Sequence, residues 1–136
     1  MREAFEGIAT HLNGLLRGGE IFTAYFSGED SDFVRFNRSA VRQAGSIRQM
    51  YLQIELILES RHAQGSAALS GNLEDDRKRV TEILEKLREM LPALPDDPHL
   101  IYATDVHSGE EIRKKSDLPS VDDTLDIILK PRTKKI

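Results

Sequence analysis

The sequence contains no cysteine, and its apolar runs are short. Without cysteine the chain has no disulfide, no thiolate nucleophile and no sulfur ligand for a metal. No run approaches the roughly eighteen apolar residues that a membrane span needs, and residues 1–6 lack the apolar core of a signal peptide. These absences exclude thiol chemistry, and we expect a cytoplasmic protein that makes no membrane contact.

The histidines also lack the spacing of a helical zinc-protease motif. A zinc protease of the common helical type needs two histidines one turn apart with a glutamate beside the first, and this sequence has no His-Glu dipeptide. His107 and Glu110 could supply two ligands at best, in a stretch that we expect to be a loop. No serine sits in a strand-to-helix elbow, and Gly18-Gly19 lacks the lysine of a phosphate loop. We therefore predict no catalytic residue, metal ligand or cofactor in this chain.

Length and charge indicate one acidic domain. With 136 residues, 39% hydrophobic and 31% charged, the chain is long enough for one core and short for two. We predict a single domain over residues 1–129, followed by a basic tail, residues 130–136, that we expect to be disordered. Outside that tail 15 basic residues face 23 acidic ones. An acidic body disfavours nucleic-acid binding, which relies on a basic surface.

The hydrophobic pattern predicts a helix followed by strands. Apolar residues recur every three to four positions over residues 2–17, as on one face of a helix. From Ile21 the period changes to two, which is typical of strands with one buried face. Turn residues at 28–31 and 45–46 divide this region, so that the predicted strands cover residues 21–27, 32–37, 40–44, 47–59 and 63–70.

The second half returns to helical spacing. Asn72 is a good N-cap for a helix whose apolar stripe runs from Val80 to Leu91, before three prolines forbid more helix. A further short strand is expected at 99–103, a loop to 117, and a short helix after Ser120. The predicted fold is α+β: a largely antiparallel sheet of four to five strands with two amphipathic helices packed on one face, plus a short C-terminal helix.

Four arginines stand close together with no acidic residue between Phe33 and Gln53. If two of them lie on the open face of the sheet near a tyrosine, they form a basic and aromatic surface for a peptide carboxylate or a nucleic-acid backbone. The simpler interpretation is that the arginines pair with Glu55, Glu59 and the acidic turn at 29–32. The candidate contact residues are Arg35, Asn37, Arg42 and Tyr51.

The same region carries a family resemblance. Residues 31–37, Ser-Asp-Phe-Val-Arg-Phe-Asn, are followed by Val-Arg-Gln-Ala-Gly at 41–45 and by Ala-Leu-Ser-Gly at 68–71. In this order the segments resemble the amino-terminal domain of the TldD/PmbA proteins, zinc metallopeptidases long labelled modulators of DNA gyrase. The similarity runs from about Ile21 to about Ala103.

The resemblance implies a domain that precedes a catalytic domain, helps to pair subunits and shapes the enclosed peptide chamber. The family's zinc motif belongs to the part that follows, and none of its ligands has a counterpart here. We expect a homo- or hetero-oligomer with a TldD/PmbA-type subunit, and peptide as the substrate class. Three interpretations remain: such a non-catalytic domain, as a fragment or a shortened copy; a free-standing protein-interaction module that uses the arginine and tyrosine face; or a small hydrolase whose active site is not visible in the sequence.

Overall fold

The computed structural model describes residues 1–38, 40–113 and 117–130, without the side chain of Val121. By its internal contacts the chain divides into two units, Met1–Tyr102 and Ala103–Ile136. The prediction of one domain over residues 1–129 stays a prediction. The basic tail, predicted to be disordered, lies outside the described residues except for residue 130.

The first unit is an α+β fold, as predicted. It contains helix α1 (Arg2–Leu15), strands β1 (Glu20–Asn37), β2 (Ala40–Leu58) and β3 (Arg61–Ala68), and helix α2 (Leu73–Met90), which continues into a short 3₁₀ turn, Leu91–Ala93. The strands form an antiparallel sheet in the order β1-β2-β3. Within the described residues the sheet therefore has three strands, where the sequence predicted four to five.

The difference arises because two predicted turns are continuous strand. Gly28 pairs with Met50 and Gly45 pairs with Phe33 inside one uninterrupted ladder. At Gly45 the space of a side chain is filled by the ring of Phe33, which would lie 3.1 Å from an added Cβ. Glycine in a strand often marks such a close approach rather than a turn, so these glycines were misinterpreted.

The prediction of a strand at 99–103 is also wrong, since the structure describes these residues and they form no strand. The preceding segment is held as a turn instead. The backbone N–H of Asp97 donates to Ser60 O at 2.7 Å, and the Asp97 carboxylate accepts from the N–H of His99 at 2.8 Å. These bonds form a local turn at residues 97–99 and tie it to Ser60.

One hydrophobic core joins the sheet to both helices. The even-numbered residues 50–56 of β2 are buried together with Ile8 and Leu12 of α1 and with Val80, Leu84 and Leu87 of α2. We call this side of the sheet the core face, and the side that carries Tyr51, Gln53 and Glu55 the outer face. The strict alternation along residues 50–56 follows from the pleat, which points successive side chains to opposite sides.

The connection from β3 to α2 is fixed by side-chain caps. Asn72 Oδ1 accepts from the N–H groups of Glu74 and Asp75 at 3.0 and 3.3 Å, which confirms the predicted N-cap. The buried carboxylate of Asp76 accepts from the N–H groups of Ser70 and Gly71 at 2.8 and 2.9 Å. The cap and the carboxylate together determine where α2 begins.

The second unit contains helix α3 (Val121–Leu129), the predicted short C-terminal helix. The hydroxyl oxygen of Ser120 accepts from the N–H of Asp123 at 3.1 Å and caps its first turn. Within the part of the chain that the structure describes, no helix combines the length and the apolar character needed to cross a bilayer.

Candidate partner-binding surface

The first two strands extend well past the third. β3 pairs with β2 only from Tyr51 to Leu58, whereas β1 and β2 remain paired down to Asn37 and Ala40. Residues 29–37 and 40–49 therefore form a two-stranded ribbon, which we call the arm. At about 3.4 Å per residue, the arm is about 30 Å long.

The arm contributes nothing to the core. None of its residues is buried, and only Ser31, Phe33, Val34 and Gly45 are partly shielded. An isolated two-stranded ribbon is marginally stable in water, because it lacks a third strand or a helix on which to bury a face. A ribbon of this length that is so exposed is a natural candidate for contact with another molecule.

Apolar side chains lie on both faces of the arm. Opposite residues of an antiparallel ladder share a face, so Phe36 and Val41 lie together on the core-face side, where 38% and 41% of their surfaces are exposed. On the outer-face side the ring of Phe33 covers Gly45, and Ile47 is 45% exposed. Large apolar residues exposed in a cluster on a ribbon are a feature of binding surfaces.

A β-bulge interrupts the arm near its tip. Arg35 pairs with Gln43, but the next residue, Phe36, pairs with Val41, so Arg42 has no opposite residue on β1. A bulge of this kind bends and twists a ribbon locally and redirects the side chain of the extra residue. Beyond it Asn37 pairs with Ala40 to close the hairpin, and Arg38 in the turn adopts a positive φ of 50°.

The four predicted contact residues are only partly brought together. Arg35, Asn37 and Arg42 lie within a few residues of the tip, whereas Tyr51 pairs with Ser27 on the body of the sheet. Eight residues of strand separate Ser27 from Arg35, which corresponds to about 27 Å. The tip residues and Tyr51 are therefore not brought together in one compact patch, and the role of the four residues in partner contact stays a prediction. The arginine part of the predicted surface belongs to the arm tip.

The aromatic neighbour of Arg35 is instead Phe33. The guanidinium carbon of Arg35 lies 5.6 Å from the centre of that ring, and its Nη1 is 3.5 Å from Gln43 Oε1. A guanidinium over an aromatic face is held in place without losing its charge. Arg35 is thus pre-oriented on the outer side of the tip.

Other arginines of the chain, one of them at the base of the arm, are paired with carboxylates. Arg48 Nε lies 2.6 Å from Asp30 and lowers the pKa of that carboxyl, Arg61 Nε lies 2.9 Å from Asp96, and Arg88 is bonded to Glu20 at 2.7 Å. The expectation that the clustered arginines pair with the acidic turn therefore holds for Arg48. Among the described residues, no carboxylate lies within ion-pair distance of Arg35, Arg38 or Arg42, and neither Glu55 nor Glu59 reaches them.

Sequence reasoning did not select Phe36, Val41 and Ile47. Their only signal was the absence of proline from residues 40–58, which permits one long strand across Gly45. The turn predicted at 45–46 divided this segment into strands at 40–44 and 47–59, so the sequence did not indicate a long unsupported ribbon. The bulge that places Arg42 has no recognisable sequence signal.

A second polar cluster lies on the outer face of the body. His62 Nδ1 is 2.7 Å from Glu55 Oε1, and His62 Nε2 is 3.2 Å from Asp97 Oδ2. Burial raises the pKa of Glu55, but hydrogen bonds from His62, Gln64 and Thr23 outweigh this and hold that pKa below its usual value. The cluster ties residues 94–99 to the sheet, which gives His62 a structural role.

The described residues bring together no group of three histidine, aspartate or glutamate side chains that could hold a metal ion. In the arm, cationic and apolar side chains lie next to each other. Comparisons with protein-family models, with curated proteins and with solved structures found no match. The relationship to the TldD/PmbA family accordingly stays a prediction.

Proposed function

We propose that this chain is a non-catalytic interaction domain of the TldD/PmbA type. In this proposal it is the amino-terminal domain of a zinc metallopeptidase, or a shortened copy of one, and it helps to pair subunits and to shape the peptide chamber. Zinc and peptide cleavage belong to the catalytic part of such a protein and not to the residues described here. Both helices are proposed to cover the core face of the sheet, which leaves the arm as the contact element.

The observation that supports this function is the length of the arm. About ten residues of each strand extend past β3 and bury nothing in the core, although apolar side chains lie on both faces. A ribbon of this kind gains stability when a partner covers it, because the exposed apolar area is then removed from water. The segments at 31–37 and 41–45, which carry much of the family resemblance, lie in this arm.

The proposal is tested by mixing the purified chain with a full-length TldD/PmbA-type subunit and measuring the mass of the product by light scattering. We expect the two proteins to form a stable complex. All zinc in that complex should come from the full-length subunit. Zinc-dependent peptide hydrolysis by the chain on its own would contradict the proposal.

The alternative is a free-standing module that binds an unrelated protein. The exposed arm favours an interaction role in either case. The two are separated by the same mixing experiment: a chain that ignores the TldD/PmbA subunit but still binds proteins through its arm is a module of the second kind.

A further inference from the structure

We infer that the tip of the arm docks on an acidic, partly apolar surface of a partner protein. This inference rests on the proposed interaction role of the arm and adds the chemistry of the partner. The tip comprises Arg35, Arg38 and Arg42 together with the exposed apolar pair Phe36 and Val41.

Charge is the first argument. The three tip arginines lie within eight residues of one another in a hairpin, and the sequence has no acidic residue between Phe33 and Gln53. In the part of the chain that the structure describes, no carboxylate neutralises them, whereas Arg48, at the base of the arm, is bonded to Asp30 at 2.6 and 3.0 Å. Three uncompensated guanidinium groups on one tip attract a surface that supplies several carboxylates.

The separation of the arm tip from the acidic part of the chain preserves this attraction. The chain is acidic overall, with a net charge of −4. Charges in water are largely screened beyond about 8 Å at physiological salt, and the arm is about 30 Å long. At the tip, the negative charges of the sheet and helices are therefore largely screened, and the three arginines dominate the attraction of a partner. The acidic base of the arm, with Glu29 and Asp32 exposed, further disfavours an approach along its whole length by a polyanion such as nucleic acid.

The apolar residues decide between a protein and a nucleic acid. Phe36 and Val41 face one side of the tip, and Phe33 with Arg35 above its ring faces the other. Aromatic and arginine side chains are enriched at the centres of protein interfaces, where they are removed from water. A phosphate backbone would engage the arginines and leave Phe36 and Val41 in water.

The experiment uses fluorescein-labelled probes and fluorescence anisotropy with the whole chain. One peptide is twelve glutamates, the second is four Glu-Glu-Leu repeats, and the third probe is a twelve-nucleotide oligothymidylate. We expect the leucine-containing peptide to bind most tightly, the polyglutamate less tightly and the oligothymidylate weakest.

Two variants of equal charge locate the site. We expect R35Q/R38Q/R42Q to bind the leucine-containing peptide at least tenfold more weakly, and the control R77Q/K78Q/K86Q, whose exposed basic residues lie on α2, to bind within twofold of the wild type. F36S/V41S should retain polyglutamate binding but lose the preference for leucine. Circular dichroism confirms that each variant is folded.

Four results would overturn the inference: no binding of either peptide, an equal loss in the control variant, tightest binding of the oligothymidylate, or an unchanged leucine preference in F36S/V41S. Failure here is distinguishable from failure of the proposed function. If R35Q/R38Q/R42Q still forms the complex with a TldD/PmbA-type subunit, the family proposal stands and the acidic docking surface does not. If the peptides bind but that subunit does not, the acidic docking surface stands and the family proposal does not.

Discussion

At the scale of single residues, Asp76 is almost fully enclosed although it carries a carboxylate. Its relative exposure is 3%, and its two oxygens accept three hydrogen bonds from Ser70 and Gly71. The buried carboxylate is tolerated because these three donors satisfy both of its oxygens where β3 gives way to α2. Asp76 therefore connects the sheet to its main covering helix.

Replacing Asp76 by asparagine should test this connection. The new amide turns an N–H₂ group toward one of the backbone N–H donors, so at least one bond is lost and one donor stays unsatisfied. We expect a loss of about 2 kcal/mol in the free energy of unfolding, measured by urea denaturation. Asp75→Asn on the exposed side of the same turn is the control, and an equal loss there would show that the helix end as a whole was responsible.

Gly65 illustrates a contact that the sequence did indicate. The small residues 63–70 predicted a strand beneath a helix, and a Cβ at Gly65 would lie 2.8 Å from Ile83 Cγ2 of α2. Ile83 is β-branched and packed, so it has little freedom to move away.

Gly65→Ala should therefore destabilise the protein by about 1–3 kcal/mol through overpacking. The matched control is Gly14→Ala in α1, where an added Cβ meets nothing within 4 Å. We expect that change to stabilise by up to about 1 kcal/mol, because alanine favours helix over glycine. Thermal denaturation of both variants provides the comparison, and two shifts of the same sign would refute the packing argument.

At the scale of secondary structure elements, the sequence predicted those features that a residue type favours for a single physical reason. The N-caps at Asn72 and Ser120 and the apolar stripe of α2 were identified from sequence because each depends on neighbouring residues. The extent of the strands was not, since glycine permits both a turn and a strand. Pairing with Phe33 on the preceding strand decided the matter at Gly45, and the residues next to Gly45 give no local signal of that pairing.

The candidate site was predictable to a similar degree. The absence of acids around the arginines identified the basic region, but the face and position of each side chain depended on register. The bulge at Arg42 and the pairing of Tyr51 with Ser27 separate residues that are close in sequence. The sequence suggested that Tyr51 lies near Arg35 and Arg42, but the strand register places it on the sheet away from the arm tip.

The arm offers a test at the same scale. Replacing residues 30–48 by Asn-Gly would close the hairpin between Glu29 and Gln49, which are opposite each other, with a tight two-residue turn. Because the removed residues bury nothing in the core, we expect the melting temperature to change by less than about 5 °C, which corresponds to about 1 kcal/mol for a domain of this size. Calorimetry measures it. A larger drop would mean that the arm is part of the folding unit and not an appendage.

At the scale of the whole molecule, the ion pair between Glu20 and Arg88 links the start of the sheet to α2. The side chains are 7% and 10% exposed, and Arg88 also donates to the carbonyl oxygen of Leu15 and to Glu85. Hydrogen bonds from Arg88 hold the pKa of Glu20 below its ordinary value of 4.5. The pair therefore joins α1, β1 and α2 at one corner of the core.

This lowered pKa predicts a dependence of stability on pH. The unfolded chain takes up the Glu20 proton at a higher pH than the folded chain does, so protonation favours unfolding. The contribution of Glu20 is fully present above pH 4.5 and decreases as the pH falls through the folded-state pKa of Glu20. Glu55, whose pKa is also lowered, adds to the same trend.

Glu20→Gln should lower the stability at pH 7 by about 3 kcal/mol, because it leaves the buried Arg88 without its main counter-charge. The variant should also lose less stability than the wild type between pH 5 and about pH 3, since one titrating group with a lowered pKa is gone. Urea denaturation at several pH values measures both effects, with exposed Glu89→Gln as the control. If the difference between wild type and Glu20→Gln were the same at every pH, Glu20 would contribute packing and hydrogen bonds but no linked protonation.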